Sequence, residues 1–130
     1  MINFEHIIWD WQGVLWKNGS LNQELIDWIR ESKYDNSILT NCGGDFSQIL
    51  EKNKINELFF TVVSPTRNNV LKPSKGAYQK ILEITETEPE KCIFVDDSAI
   101  NVRAANSLGL KSILYKNNRL ILNKLTKLIT

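Results

Sequence analysis

The stretch that decides the fold is residues 7–13, IIWDWQG, in which a short apolar run ends at an acid and a glycine follows three residues later. Four more short runs are rich in apolar and β-branched residues, at 37–40, 59–63, 93–95 and 112–115. Runs of this length fit β-strands that are buried on both faces of a sheet. The sequence therefore predicts five strands, the first of which ends just before the acid.

Segments with helical periodicity separate these runs. Helices are predicted over 21–29, 46–50, 77–85, 98–109 and 121–129. Ser20 and Gln23 fit a capping box at the first helix, and Gly109 fits the end of the fourth. Strand–helix alternation predicts an α/β domain with a parallel sheet and right-handed crossovers, and without any linker or repeat we expect one domain over residues 1–130.

Composition places the chain among ordinary globular proteins. Its 130 residues are 42% hydrophobic and 24% charged, with a formal net charge of +1. These values exclude disorder and a generally basic nucleic-acid binder, and no apolar run reaches the roughly 20 residues of a membrane span. Cys42 and Cys92 are too few for a disulfide scaffold, and the acidic first residues are unlike a signal peptide. We therefore expect a soluble, cytoplasmic protein without a membrane partner.

Polar residues follow the predicted strands at the points where the strands end. Asp10 follows the first strand, Thr40 and Asn41 the second, and Asp96 and Asp97 the fourth, while Lys72 follows the third after a short loop. Because the carboxyl ends of parallel strands meet at one edge of a sheet, we expect these groups to gather there. Clustered carboxylates need a cation, and their hard oxygen atoms favour Mg²⁺. A metal beside Lys72 and Thr40 suits phosphoryl transfer, in which a free carboxylate can act as nucleophile through an aspartyl-phosphate.

Four segments resemble the motifs of the haloacid dehalogenase-like (HAD) superfamily. IIWDWQGVLW at 7–16 resembles the first motif, usually Asp-x-Asp-Gly-Thr/Val-Leu, and ILTN at 38–41 resembles the second. VLKP at 70–73 resembles the third, and CIFVDDSAINVRAANSLGLKSILY at 92–115 is similar to the fourth and its following strand. The motifs occur in the family's order. The resemblance implies a Rossmann-like five-stranded parallel sheet in the order 3-2-1-4-5, with helices on both faces.

The resemblance also implies a magnesium site. At the matched positions, Asp10 is expected to be the nucleophile and a Mg²⁺ ligand. The main-chain carbonyl of Gln12 is expected to be a second ligand, and Asp96 with Asp97 to complete the site.

A phosphate site is implied beside that metal. The N–H groups after Asp10, beginning with Trp11, are expected to cradle the phosphoryl group. Thr40, Asn41 and Lys72 are expected to bind the phosphate, Lys72 with a catalytic role as well.

Position 12 departs from the family's pattern. Gln12 stands where the phosphatases of the family carry their general acid and base, and an amide cannot deliver a proton to a leaving alkoxide. Loss of such a group costs roughly 10²–10⁴-fold in rate. Esters with poor leaving groups are expected to suffer most and acyl phosphates least, and a phosphorylated Asp10 is expected to persist.

The second departure is the shortness of the connections. Residues 16–37 and 42–71, where relatives insert a cap domain, leave no room for one. We therefore predict a capless protein, an arrangement that in the family goes with macromolecular substrates or with a partner that closes the site. The substrate is expected to be a phosphoprotein, a nucleic-acid end or a reactive small phosphate. Trp11 and Trp16 flank the expected mouth and suit either substrate contact or packing.

Other interpretations stay open from the sequence alone. Asp10 also fits a turn, Asp96 and Asp97 fit caps of the following helix, and Lys72 fits a solvated surface. The main functional alternative is a degenerate relative that binds Mg²⁺, phosphate or a partner without turnover. A signalling receiver domain would carry its acidic pair after the first strand, and a dehalogenase normally needs a cap, so both rank lower.

Overall fold

A computed structural model describes residues 3–129. The strands are β1 (His6–Trp9), β2 (Trp16–Lys17), β3 (Ser20–Leu21), β4 (Asp35–Leu39), β5 (Val62–Val63), β6 (Cys92–Asp96) and β7 (Lys111–Leu114). The α-helices are α1 (Gln23–Glu31), α2 (Phe46–Lys52), α3 (Pro65–Asn68), α4 (Lys75–Thr85), α5 (Ala99–Ser107) and α6 (Asn118–Ile129), and 3₁₀ turns lie at Asn56–Leu58 and Pro89–Lys91. In this described part of the chain, no helix is long and apolar enough to cross a membrane.

Five of the strands form one parallel sheet with β1 at its centre. The order is β5-β4-β1-β6-β7, which is 3-2-1-4-5 when these five strands are numbered alone. His6 pairs with Asp35 of β4 on one side and with Cys92 of β6 on the other. The predicted fold class and strand order are therefore confirmed.

Two apolar clusters cover the two faces of the sheet. Successive side chains of a strand point to opposite faces, so Ile7 and Trp9 join one cluster and Ile8 joins the other. The first cluster contains the buried residues of α1, α2 and α6, and the second contains those of α4 and Ala105 of α5. Helices on both faces are thus confirmed, and they hold the sheet edge where the site lies.

The start of the first helix differs from the prediction. Ser20 lies in β3, which pairs with β2 across a turn at Asn18 and Gly19, both with positive φ. This hairpin takes Ser20 out of the capping position, and α1 starts after Asn22 without a side-chain cap. The capping box was therefore wrong, because hairpin pairing competes with helix capping at the same residues.

The third sheet strand is shorter than the predicted run at 59–63. Asn56–Leu58 forms a 3₁₀ turn, and the strand itself is Val62–Val63. Contact with β4 begins before Val62 through single hydrogen bonds, one of which the N–H of Phe60 donates to the carbonyl oxygen of Asn36 at 2.7 Å. Phe60 is 60% exposed, so this apolar run includes residues at the edge of the sheet and is not a strand buried along its whole length.

Candidate active site

Lys72 joins two strand ends through its ammonium group. Its Nζ lies 2.8 Å from Oδ1 of Asp10, just after β1, and 2.7 Å from Oδ2 of Asp96, the last residue of β6. The Lys72 side chain is 2% exposed and that of Asp96 is 1% exposed. The sequence predicts that these groups meet at one edge of the sheet, and they do. Lys72 is not a solvated surface lysine.

Asp96 is held by a dense set of donors. Its Oδ1 accepts a hydrogen bond from the main-chain N–H of Ser98 at 2.9 Å, and its Oδ2 accepts one from Asn101 Nδ2 at 3.1 Å. The cap of α5 is the Ser98 side chain, which accepts from the N–H of Asn101. Asp96 therefore does not serve as the helix cap. Its carboxylate is aimed into the site.

The third carboxylate completes a candidate metal site. Single oxygen atoms of Asp10, Asp96 and Asp97 lie within 4.8 Å of one another. Ligands opposite each other around Mg²⁺ are about 4 Å apart, so small adjustments would bring all three oxygen atoms to one ion. Gly13 makes room for this approach: its φ is +90°, and a Cβ there would lie 2.9 Å from Cγ of Asp97. The donor set and its spacing fit magnesium.

The charge balance of this cluster favours a cation. Burial raises the pKa of Asp10 to about 7, Lys72 opposes the rise, and the Asp96 and Asp97 carboxylates add to it. One ammonium therefore does not compensate the carboxylates around it. A divalent cation among these oxygen atoms would relieve the repulsion and keep Asp10 ionised.

The residues after β4 support the site in two ways. Thr40 is buried, and its Oγ1 accepts a hydrogen bond from the N–H of Cys42 at 2.9 Å. Asn41 clamps the main chain of Lys72: its Nδ2 donates to the Lys72 carbonyl at 2.9 Å, and its Oδ1 accepts from the Lys72 N–H at 2.8 Å. This clamp, which the sequence did not reveal, fixes where the lysine side chain begins. The phosphate-binding roles of Thr40 and Asn41 stay predictions.

The loop after Asp10 is tight. The carbonyl of Trp11 accepts from the N–H of Trp16 at 2.9 Å, and the N–H of Gly13 donates to the carbonyl of Trp16 at 2.9 Å. Trp11 is buried against Trp16, with ring centroids 5.8 Å apart and planes at 18°. Gln12 is exposed between two open clefts of about 360 and 380 Å³.

Two aromatic side chains near the site were not predicted from the sequence. The Lys72 Nζ lies 5.5 Å from the ring centroid of Phe94, and Tyr78 donates from its hydroxyl to the carbonyl of Asn101 at 3.0 Å. The sequence signal that could have identified Phe94 is the alternation of side chains along β6. Phe94 precedes Asp96 by two positions and therefore lies on the same face of the sheet.

Comparison with known proteins identifies the family. A family model described as haloacid dehalogenase-like hydrolase matches residues 19–115, about three quarters of the chain. The chain belongs to this family of hydrolases. The match includes the second, third and fourth motifs and begins after Asp10 and Gln12.

A curated relative and two solved structures show how the fold recurs. Over 84 residues the chain is 30% identical to drimenol cyclase drtB of Aspergillus calidoustus, a match that takes in 65% of this chain but 16% of the cyclase. A HAD-superfamily hydrolase from Ehrlichia chaffeensis superposes with a TM-score of 0.82 at 17% identity and full coverage of both chains. A HAD family enzyme from Bacteroides thetaiotaomicron superposes with a TM-score of 0.80 at 15% identity, covering 92% of this chain and 99% of that one. At these identities the two structures establish the fold alone.

Proposed function

We propose that the protein is a capless, Mg²⁺-dependent phosphohydrolase that works through an aspartyl-phosphate on Asp10. The observation that carries the proposal is the Lys72 ammonium shared between the buried carboxylates of Asp10 and Asp96, at 2.8 and 2.7 Å. A cation and a carboxylate nucleophile held together at a sheet edge are what phosphoryl transfer requires.

Asp10, Asp96, Asp97 and the main-chain carbonyl of Gln12 would hold the magnesium ion. When bound, it supplies positive charge that polarises the phosphoryl oxygens and offsets the carboxylates. Support comes from the 4.8 Å grouping of the three carboxylates. The Bacteroides enzyme with the same fold was solved in complex with magnesium and inorganic phosphate.

The first chemical step belongs to Asp10. One of its carboxylate oxygens attacks phosphorus, the bond to the leaving oxygen breaks, and that oxygen departs with the electron pair. Lys72, Thr40, Asn41 and the N–H of Trp11 are assigned to hold the phosphoryl oxygens. Asn41 also keeps Lys72 in place through its two hydrogen bonds to the Lys72 main chain.

Gln12 makes the reaction slow in both halves. Its amide can orient a leaving oxygen or a water molecule through hydrogen bonds, but it cannot protonate the first or deprotonate the second. His6 offers no replacement, because it lies at the far end of β1 with its Nε2 2.7 Å from the hydroxyl of Ser37. The phosphorylated Asp10 should therefore accumulate.

The site is proposed to act on a phosphorylated substrate without a covering domain. Between β1 and β4 the chain forms only the β2–β3 hairpin and α1, and between β4 and β6 it forms α2, β5, α3, α4 and two 3₁₀ turns. These short elements support the capless arrangement. Cytoplasmic localisation and a macromolecular substrate stay predictions.

A second candidate function is binding of Mg²⁺ and phosphate without turnover. The exposed Gln12 amide favours it, because the position lacks the acid that would complete the catalytic cycle. The two candidates share the metal and phosphate sites and differ in whether Asp10 is phosphorylated.

One experiment separates them. The protein is incubated with acetyl phosphate and Mg²⁺ while free phosphate and the intact mass are followed, with Asp10→Asn as the control. We expect a phosphorylated adduct on the parent protein only, with slow phosphate release. Thermal stabilisation by Mg²⁺ and phosphate with neither adduct nor release would instead support the binding function.

A further inference from the structure

A partly apolar cleft opens beside the loop that follows the candidate nucleophile. Its volume is about 360 Å³, within the range of small-molecule sites, and its walls include Trp11, Trp16, Phe46 and Ile49. Trp11 stacks on Trp16 and meets Phe46 edge to face at 5.6 Å. Trp11 and Phe46 are almost fully buried, so the half-buried Trp16, which stacks on Trp11, and Ile49 form the apolar surface that a planar ring can contact.

Residues that line the cleft adjoin the proposed phosphate site. Trp11 and Gln12, which line it, follow Asp10 in the chain. Cys42, on the other side, donates its main-chain N–H to Oγ1 of Thr40 at 2.9 Å. A group attached to a phosphoryl moiety held by Asp10 and Thr40 therefore has this cleft next to it.

Gln12 restricts which leaving groups the site can expel. Without a proton donor, the leaving oxygen must depart as an anion. A phenol such as the tyrosine side chain has a pKa of about 10, whereas water, like aliphatic alcohols, lies near 16. A phenolate is thus far better able to leave unprotonated than an alkoxide.

We propose that the substrates are aryl phosphate monoesters whose ring binds in this cleft against Trp16 and Ile49. This inference rests on the proposed function. Two independent features lead to it: the partly apolar cleft beside the loop after Asp10 and the amide at position 12.

The step balances without another reactant. An oxygen of Asp10 bonds to phosphorus as the bond from phosphorus to the aryl oxygen breaks, and the phenolate leaves with the electron pair and later takes a proton from water. Water then adds to phosphorus, the Asp10–phosphorus bond breaks, and inorganic phosphate leaves.

The second cleft is less suited to the leaving group. It is lined by Lys17, Lys116, Tyr115 and Asp97 among others. Lys17 is already engaged there, donating to the Tyr115 hydroxyl at 3.0 Å with its Nζ 4.9 Å from the ring centroid.

The test compares four substrates in the presence of Mg²⁺: 2-naphthyl, phenyl and cyclohexyl phosphate, with acetyl phosphate as the common reference. We expect kcat/KM for 2-naphthyl phosphate to exceed that for cyclohexyl phosphate at least 100-fold. Naphthyl and phenyl phosphate have similar leaving groups, so a lower KM for naphthyl phosphate reports the cleft itself.

Variants locate the effect. Trp16→Ala should lower the ratio of naphthyl to acetyl phosphate kcat/KM about tenfold, mostly through KM. Ile49→Gln, on α2 at the other side of the cleft, should lower the same ratio and gives a second measurement should the tryptophan variant fold poorly. The matched control is Trp28→Ala, because Trp28 packs against Trp9 away from the cleft and should leave the ratio unchanged.

Three results would overturn the inference. If acetyl phosphate reacts through Asp10 but cyclohexyl phosphate is cleaved as fast as naphthyl phosphate, the preference for aryl phosphates is wrong while the proposed function stands. An unchanged ratio in both cleft variants would remove the cleft from substrate binding. The absence of any reaction with acetyl and naphthyl phosphate would overturn the proposed function as well.

Discussion

The two ends of β1 bury titratable groups in opposite ways. At its start, His6 is buried, its Nε2 lies 2.7 Å from the hydroxyl of Ser37, and burial lowers its pKa. Just beyond its other end, Asp10 shares the Lys72 ammonium with Asp96, and burial raises the pKa of Asp10 to about 7. The His6 ring is neutral and hydrogen-bonded within the chain, whereas the carboxylates around Lys72 carry more negative charge than its ammonium group offsets.

The two ends of β1 differ in what it costs to bury their titratable groups. A neutral hydrogen-bonded pair costs little to bury and needs nothing from solution. Buried carboxylates in excess of their ammonium partner lower stability unless a cation joins them. We therefore assign cation binding and the proposed reaction to the carboxyl edge of the sheet, and a role in folding to the amino edge.

The largest effect should come from removing the shared ammonium. Lys72→Met leaves Asp10 and Asp96 buried without their cation, and breaking a buried pair in this way costs about 3–5 kcal/mol of unfolding free energy. Urea unfolding at pH 7 without Mg²⁺ measures the loss. The control is Lys75→Met, an exposed lysine three residues away. Equal stability of the two variants would mean that Lys72 does not compensate these carboxylates.

Much of this contrast was visible in the sequence. The placement of Asp10 and Asp96 at one edge followed from strand ends alone, because parallel strands share a direction, whereas Lys72 reaches it from a loop beyond β5 and α3. The Asn41 clamp on Lys72 did not follow, since it depends on the path of a loop that no periodicity encodes. The misplaced cap at Ser20 has a similar cause: two local structures compete, and only the tertiary pairing decides.

Gln12→Asp should raise turnover without changing the other end of β1. A carboxyl group at position 12 can protonate the leaving oxygen and then activate water, so kcat on an alkyl phosphate monoester should rise roughly 10²–10⁴-fold. Gln12→Asn, which keeps the amide, serves as the control. If turnover by Gln12→Asp is no faster than that of the parent, the amide is not what slows the reaction.

The pH dependence of stability should have opposite signs at the two ends. The folded protein keeps a proton on Asp10 up to about pH 7, whereas the unfolded chain loses it near pH 4. Without Mg²⁺, stability from this group is therefore present below about pH 4 and lost as pH rises towards 7. The lowered pKa of His6 works in reverse, giving stability above about pH 6.5 that is lost in acid.

Asp10→Asn isolates the first of these contributions. At pH 8 without Mg²⁺ the variant should be more stable than the parent by about 1–3 kcal/mol, because the repulsion among the carboxylates is reduced. At pH 4 the difference should be small, and saturating Mg²⁺ should remove or reverse the advantage at pH 8. Urea unfolding across this pH range gives the difference directly. A variant less stable than the parent at pH 8 without metal would contradict the surplus of negative charge.

The smallest effect should come from the amino end of β1. Ser37→Ala removes the hydrogen-bond partner of the His6 ring and should cost about 1 kcal/mol in urea unfolding. The stabilisation by Mg²⁺ and the rate with acetyl phosphate should stay at the parent's values, because the change lies at the opposite edge of the sheet from Lys72. A change in either quantity comparable to that in Lys72→Met would show that the two ends are coupled through β1, and the separation of a folding edge from a reacting edge would then be wrong.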